Sequence, residues 1–216
     1  MAEVPHSQEE PLCLLCRRTK PPYSRAMAYG GYDGGLRELI HLLKYGGVQP
    51  AAGVLGRMLA EVIGDFNQIF GQSEILVIPV PLHSSKLRQR GFNQSELIAR
   101  HGLKLSACGR LRLNTKLLER TRITQSQIGL TRHQRRENLR GAFSVSQPNE
   151  LSGREVLLVD DVFTTGTTVS ECARVLRRAG ASNIYVATVA RTLKMHANSA
   201  KLEFMDESQL VKAAAV

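Results

Sequence analysis

Residues 156–168, with the sequence VLLVDDVFTTGTT, constrain the fold of this chain more than any other segment. Four consecutive apolar residues come first, and a short apolar run without alternation is typical of a strand buried on both faces of a parallel sheet. The segment leads into residues 168–179, whose apolar side chains recur at helical spacing until Gly180 ends the pattern. A buried strand followed at once by a helix predicts an α/β fold.

Two adjacent acids, Asp160 and Asp161, come at the carboxyl end of this predicted strand. Neighbouring residues of an extended chain point to opposite faces, so at most one acid faces a ligand squarely and the turn re-aims the other. Ionised carboxylates accept hydrogen bonds from the vicinal hydroxyls of a ribose, and they bind a divalent cation that is shared with a diphosphate. We therefore predict that these acids hold a ribose.

The loop after the acids is predicted to bind a phosphate. It offers hydroxyl groups, backbone N–H groups and a glycine that allows the main chain to approach a ligand closely. Because the loop opens a helix, whose first N–H groups have no intrahelical partner, a monoester phosphate needs no lysine there. The predicted phosphate-binding residues are Thr164, Thr165, Gly166, Thr167 and Thr168.

A solvated strand end followed by an ordinary helix cap is the alternative interpretation of residues 156–168. Two other phosphate motifs are excluded, because the Gly-Lys-Ser/Thr of a P-loop and the G-x-G-x-x-G of a dinucleotide-binding fold do not occur here. Agreement between the buried strand, the acids, the glycine-containing loop and the helix favours the ribose-phosphate interpretation.

The remaining pattern alternates helices with strands. Apolar residues at helical spacing predict helices within residues 36–47 and 54–62, and a further helix is predicted from Gln94 to about residue 101. Residues 75–78 and 184–190 predict further buried strands. Such an alternation favours right-handed βαβ units and a parallel sheet, with ligands bound beyond the carboxyl ends of the strands. At 216 residues the chain is long enough for one such domain with a small appendage.

The segment after residues 75–78 is the second predicted half of the ligand site. Two prolines end the strand, and a rigid turn then precedes Lys86, Arg88 and Arg90, which we predict to clamp a diphosphate. The alternative is a basic surface loop. Since strand ends of a parallel sheet face the same side, this loop and residues 164–168 would hold opposite ends of one ligand.

Positive charge is concentrated in the middle of the chain. The net charge is +10, and residues 86–140 alone contain 14 Lys and Arg against 3 acids. Any polyanionic partner should therefore bind this middle segment. No stretch approaches the roughly 18 apolar residues of a membrane span, and residues 1–13 lack the apolar core of a secretory signal, so we expect a cytoplasmic protein.

Four stretches of the chain resemble the ComF family of competence-related proteins, within the type I phosphoribosyltransferase-like superfamily. The resemblance implies a type I phosphoribosyltransferase-like parallel sheet flanked by helices, with a short cysteine-containing appendage at the N-terminus. It also implies binding of phosphoribosyl pyrophosphate with Mg²⁺, and transfer of the phosphoribosyl group to an acceptor that the sequence does not identify. The stretches are, in order, residues 32–47 (YDGGLRELIHLLKYGG), 79–94 (PVPLHSSKLRQRGFNQ), 124–143 (TQSQIGLTRHQRRENLRGAF) and 156–168.

The same resemblance implies roles for individual residues. Asp160 and Asp161 would hold the ribose hydroxyls, and residues 164–168 would hold the 5′-phosphate. The basic stretch 124–140 takes the place of a mobile loop that closes over the reacting centre and brings cations to the leaving diphosphate, an exposed helix face being the alternative. The residues implied in catalysis are Asp160, Asp161, Arg132 and Arg136, and those implied in diphosphate binding are Pro81, Lys86, Arg88 and Arg90.

Thr164 departs from the pattern of one group of these enzymes. Members of the superfamily that act on 6-oxopurines commonly place an acid there, so the sequence weighs against hypoxanthine or guanine salvage. The main alternative function is a non-catalytic accessory protein in DNA uptake that binds single-stranded DNA or a helicase partner, although an aromatic content of 5% offers few platforms for stacking bases. A regulator that senses ribonucleotides is a third hypothesis, without a recognisable DNA-reading helix.

A second departure concerns zinc, since ComF-like proteins often begin with a zinc ribbon of four cysteines. Only Cys13 and Cys16 precede the predicted domain, although a tetrahedral structural zinc takes four ligands. Either the chain begins late relative to its relatives, or a partner subunit completes the site, or no zinc binds. The predicted organisation is an N-terminal segment over residues 1–28, the phosphoribosyltransferase-like domain over 29–194, and a C-terminal tail over 195–216.

Overall fold

The computed structural model describes residues 20–124 and 131–192 and has a five-stranded parallel sheet at its centre. The strands are β1 (Arg25–Gly31), β2 (Ile75–Pro79), β3 (Leu111–Leu113), β4 (Leu118–Arg120), β5 (Phe143–Val145), β6 (Glu155–Phe163) and β7 (Ile184–Arg191). The order in the sheet is β1-β7-β6-β2-β3, so β6 is the middle strand. β4 and β5 form a separate antiparallel pair.

Six α-helices occur in the described residues, with a short 3-10 helix at Pro148–Leu151. Their bounds are α1 (Gly34–Gly46), α2 (Ala51–Phe66), α3 (Ser84–Arg90), α4 (Gln94–Leu105), α5 (Arg132–Leu139) and α6 (Thr167–Arg178). None of the helices in this part of the chain is long and apolar enough to cross a membrane.

Helices cover both faces of the sheet because its central strands are apolar on both sides. In β6, Leu157 and Val159 belong to a core shared with α1, α2 and α4. Val156 and Leu158 belong to a second core, which includes Leu176 of α6. All four strand residues are buried, as expected for a strand between two helical layers.

The predicted α/β architecture is confirmed. The three predicted buried strands are β2, β6 and β7, and the predicted helices are α1, α2, α4 and α6. α1 ends where the sequence indicates, because Gly47 adopts the left-handed conformation at φ 65° and its N–H group donates to the carbonyl of Leu42.

Several short strands were not predicted from the sequence. β1 consists mainly of small residues (RAMAYGG), which show neither a continuous apolar run nor regular alternation. β3, β4 and β5 have three residues each, too few to show a period. β1 begins at Arg25, within the segment assigned to the N-terminal appendage, and residues 195–216 lie outside the described residues.

The basic segment after β2 is a helix, whereas the sequence predicted a turn followed by a loop. His83 caps this helix, since its side chain accepts a hydrogen bond from the N–H group of Ser85, and Gly91 ends it in the left-handed conformation at φ 82°. Seven residues show little apolar periodicity, which explains why the helix was missed.

Candidate functional site

The two acids of β6 lie at the carboxyl edge of the sheet and face different neighbours. Asp161 is 4% exposed and forms an ion pair with Lys44 of α1. Asp160 accepts hydrogen bonds at Oδ1 from Ser95 Oγ and from the N–H group of Asp161, both at 3.0 Å. Ser95 is positioned by Asn93, which caps α4 and accepts a hydrogen bond from the Ser95 N–H group.

Lys44 is a residue of this site that sequence reasoning missed. Its pKa would be lowered by burial, but the carboxylate of Asp161, a hydrogen bond to that carboxylate and the charge of Asp160 together raise it above the ordinary 10.5. Lys44 is therefore a cation at neutral pH. It lies in the resembled stretch 32–47, at the end of a largely apolar helix, but no motif rule marks such a lysine.

The surroundings of Asp160 raise the pKa of its carboxyl group. Burial raises its pKa, the neighbouring charge of Asp161 raises it further, and Lys44 with the hydrogen bond from Ser95 only partly offsets these effects, so that the pKa is about 7. The carboxyl group is therefore partly protonated near neutral pH.

Cations from other elements converge on the same edge of the sheet. Burial lowers the pKa of Lys86 in α3, and so do the positive charges of Arg120 in β4, Arg90 in α3 and Lys44 in α1. Like charges raise one another's free energy unless an anion lies between them. Arg90 is held by Gln94, whose Oε1 accepts a hydrogen bond at 2.6 Å.

The structure brings together only some of the predicted diphosphate-binding residues. Lys86 and Arg90 are four residues apart and share one face of α3, whereas Arg88 projects roughly 200° away and is exposed. Pro81 is half-buried beside Val80, whose N–H group donates to Val159 of β6 at 2.8 Å and whose carbonyl accepts from Asn93. The backbone at the end of β2 is therefore tied to β6 and α4.

Residues 164–168 form the predicted connection between β6 and α6. Gly166 has φ 72° and lies against the ring of Phe163, where an added Cβ would come within 2.6 Å of a ring carbon. The hydroxyls of Thr165 and Thr167 are hydrogen-bonded at 2.7 Å. α6 begins at Thr167, so the N–H groups of its first turn point toward this loop.

The basic helix α5 contacts this loop through Arg135, one of the basic residues of the stretch 124–140. Arg135 donates a hydrogen bond to Thr164 Oγ1 at 3.3 Å. Arg136 is exposed, and the side chain of Arg132 lies outside the described residues. The far end of α5 is tethered to α6, since the carboxylate of Glu171 accepts a hydrogen bond from the N–H group of Gly141 at 3.1 Å.

The cysteines provide no metal site in the described part of the chain. Cys13 and Cys16 lie outside the described residues, so zinc binding there stays a prediction. Cys108 and Cys172 are free thiols. Within residues 20–124 and 131–192, no three His, Cys, Asp or Glu residues are grouped so as to hold a metal ion by themselves.

A family model named phosphoribosyl transferase domain matches residues 114–209, which include β6, the connection at residues 164–168 and α6. Among solved structures, a glutamine phosphoribosylpyrophosphate amidotransferase from Bacillus subtilis is 22% identical with a TM-score of 0.41, and the match covers 65% of this chain and 26% of that one. A hypoxanthine phosphoribosyltransferase from Staphylococcus aureus is 10% identical with a TM-score of 0.36, over 66% of this chain and 68% of the other.

Curated proteins match a larger part of the chain. The DNA utilization protein YhgH of Escherichia coli O6:H1 is 36% identical over 182 residues, which cover 84% of this chain and 78% of the relative. Competence protein F of Haemophilus influenzae is 32% identical and covers 83% of this chain and 78% of its own length. Competence protein ComFC of Bacillus subtilis is 23% identical, and the match covers 77% of this chain and 61% of that protein. The chain belongs to the ComF family of phosphoribosyltransferase-like proteins.

Proposed function

We propose that the chain binds phosphoribosyl pyrophosphate together with Mg²⁺ at the carboxyl edge of the sheet. The observation that carries the proposal is the convergence of four cations from α1, α3 and β4, of which Lys44 and Arg120 also interact with the carboxylates of β6. Cations held this close to one another favour a ligand with several negative charges. The adjacent carboxylates favour one that also carries hydroxyl groups.

The parts of this ligand match the parts of the site. The ribose hydroxyls donate to Asp160 and Asp161, and the 5′-phosphate accepts hydrogen bonds from residues 164–168 and the first turn of α6. The diphosphate lies within the field of Lys86 and Arg90. Arg135, which already contacts Thr164, adds positive charge near the 5′-phosphate.

The two carboxylates suit Mg²⁺ that arrives with the diphosphate. Mg²⁺ is commonly bound by one or two carboxylates together with substrate phosphates and water, rather than by a cage of protein ligands. The described residues offer such a pair and no larger cluster. The high pKa of Asp160 has the same implication, because a nearby cation would relieve the repulsion from Asp161 that contributes to it.

If the protein is an enzyme, the reaction is displacement of diphosphate at C1 of the ribose. The bond between C1 and the diphosphate oxygen breaks, the electron pair leaves with the diphosphate, and a bond forms from C1 to an acceptor that loses a proton. Bound Mg²⁺ would neutralise charge on the diphosphate, and the residues of this chain would orient the ribose and stabilise the leaving anion.

Calorimetry with phosphoribosyl pyrophosphate and Mg²⁺ tests the proposed site. The double variant Asp160→Asn/Asp161→Asn should lose most of the affinity, because amides neither hold the cation nor accept as strongly from the hydroxyls. The matched control is Glu61→Gln/Asp65→Asn, which makes the same change of charge on the exposed side of α2 and should bind as the wild type does. Equal affinity of the double variant and the wild type would contradict the assignment of the binding site to Asp160 and Asp161.

A second candidate function is an accessory role in DNA uptake, and the names of the relatives favour it. They are called DNA utilization protein and competence protein. The positive charge of residues 86–140 suits the backbone of single-stranded DNA, and such a protein could act beside a helicase. Both functions predict the same sign of charge, so charge by itself does not separate them.

Two assays on the same protein separate these functions. Diphosphate release from phosphoribosyl pyrophosphate is measured against a panel of bases and nucleotides, and binding of single-stranded DNA is measured over a series of salt concentrations. Turnover with a defined acceptor supports the enzyme. Tight, salt-dependent strand binding without turnover supports the accessory role.

A further inference from the structure

Arg120 is the last residue of β4 and reaches the site from the small two-stranded sheet. Its register partner on β5 is Phe143, and the guanidinium lies 5.5 Å from the centre of that ring. One guanidinium N–H group donates to Thr124 Oγ1. The ring and the hydroxyl hold the planar head group in place and leave part of its fork of donors unused.

The unused part is the Nε–H group of Arg120. The nitrogen is buried and has no hydrogen-bond partner among residues 20–124 and 131–192. A buried donor without an acceptor costs free energy, and native proteins contain few of them. Such a donor therefore indicates an acceptor that arrives with a ligand or an ion.

The surrounding charges indicate that this acceptor is an anion. Burial lowers the pKa of Arg120, the nearby Cys172 and Asp160 raise it, and Arg122 lowers it again. The charge of Arg120 in turn lowers the pKa of Lys86 in α3. Two cations from different elements thus lie close together, and an anion that contacts both would stabilise both.

We propose that Arg120 binds the diphosphate of the ligand together with Lys86, with its Nε–H group donating to a diphosphate oxygen. This inference rests on the proposed function and adds a site residue that the motif analysis did not identify. Arginine suits the task, because its planar fork donates two parallel hydrogen bonds to one phosphate group. β4 thus contributes a cation to the site, whereas Arg88 projects from a different side of α3 than Lys86 does.

Calorimetry of the full chain with three ligands, each with Mg²⁺, tests the role of Arg120. They are phosphoribosyl pyrophosphate, ribose 5-phosphate and inorganic diphosphate. Arg120→Gln should weaken binding of the first and the third by about 10- to 100-fold, the usual loss for a charge-assisted hydrogen bond. Binding of ribose 5-phosphate, which lacks the diphosphate, should be unchanged. Arg120→Lys should lose less, since it keeps the charge without the fork.

The matched control is Arg178→Gln, which removes the same charge at the exposed end of α6, opposite the phosphate loop. It should bind all three ligands as the wild type does. Unchanged affinity for diphosphate in Arg120→Gln would overturn the inference. An equal loss of affinity for ribose 5-phosphate would also overturn it, because it would indicate a general disruption of the site. A wild type that does not bind phosphoribosyl pyrophosphate refutes the proposed function, whereas binding of inorganic diphosphate that depends on Arg120 would still support this subsite.

Discussion

Asp160 and Asp161 show how two neighbouring residues of the same type acquire different properties. Asp161 forms an ion pair with Lys44 of α1, whereas Asp160 accepts a hydrogen bond from Ser95 at the start of α4. One acid therefore has a cationic partner, whereas burial and the adjacent charge raise the pKa of the other to about 7. If the proposed ligand binds here, its binding should depend on the ionisation of Asp160.

Replacing Lys44 by methionine should destabilise the fold by about 3 kcal/mol, because it leaves the buried carboxylate of Asp161 without its partner. Urea denaturation measures the change in the free energy of unfolding. The double variant Lys44→Met/Asp161→Asn should recover most of the loss, since neither charge then remains. A Lys44→Met protein as stable as the wild type would contradict the importance of this ion pair.

Stability should depend on pH through Asp160. Its pKa is about 7 in the folded protein against an ordinary 3.8, so the folded state keeps a proton that the unfolded chain loses between these values. The free energy of unfolding should therefore fall as pH rises from about 4 to about 7. Asp160→Asn should remove this part of the pH dependence. The stability of the variant relative to the wild type should therefore increase over this pH range. Denaturation at a series of pH values measures this dependence. Plots of the free energy of unfolding against pH that stay parallel for the two proteins would contradict the prediction.

At the scale of elements, a strand end, a loop and a helix start form the segment to which we propose that the 5′-phosphate binds. β6 ends at Phe163 and α6 begins at Thr167, so the short connection between them restricts the backbone conformation. Gly166 makes the turn in the left-handed conformation, against the ring of Phe163. Residue choice in this loop therefore follows from backbone geometry as much as from ligand chemistry.

Gly166→Ala should destabilise the protein by about 1–3 kcal/mol, because the new Cβ is strained at a positive φ and meets the ring of Phe163. The same shift of the loop should weaken binding of ribose 5-phosphate. Thermal unfolding and calorimetry measure the two effects. Gly109→Ala is the control, since an added Cβ there has no neighbour within 4 Å and φ is not positive, so both quantities should match the wild type.

At the scale of the whole molecule, the parallel sheet determines which distant segments meet. Because β2 and β6 are adjacent and parallel, the segments after both strands lie at the same edge of the sheet. α1 and the β4–β5 pair complete the site from opposite helical layers, since they pack in different cores. The candidate site therefore consists of elements from almost the entire described chain.

Such a ligand should stabilise the whole fold. Phosphoribosyl pyrophosphate at about 100 times its Kd should add about 2.7 kcal/mol, which raises Tm by roughly 5–10 °C for a chain of this size. Differential scanning calorimetry with Mg²⁺ measures the shift, and chelation of Mg²⁺ should reduce it. A shift of the same size in the Asp160→Asn/Asp161→Asn variant would place the binding elsewhere.

The sequence by itself determined the α/β class, the central strands and the connection between β6 and α6. These features depend on local chemistry: four apolar residues in a row, adjacent acids, and a glycine before an amphipathic helix are visible within residues 156–180. It also predicted Lys86 and Arg90 as ligand-binding residues, because they follow a strand end. It did not reveal that residues 84–90 are a helix, since capping by His83 leaves no apolar period to detect.

Only the tertiary structure decided which cations accompany the acids. Lys44 and Arg120 are 76 positions apart in the sequence and belong to no phosphate motif, yet α1 and β4 bring both to the end of β6. Their roles depend on burial and on the charges nearby, which come from packing across the sheet rather than from neighbours in sequence. The loop at residues 164–168 follows from local sequence, whereas the charge of the site is a property of the assembled sheet.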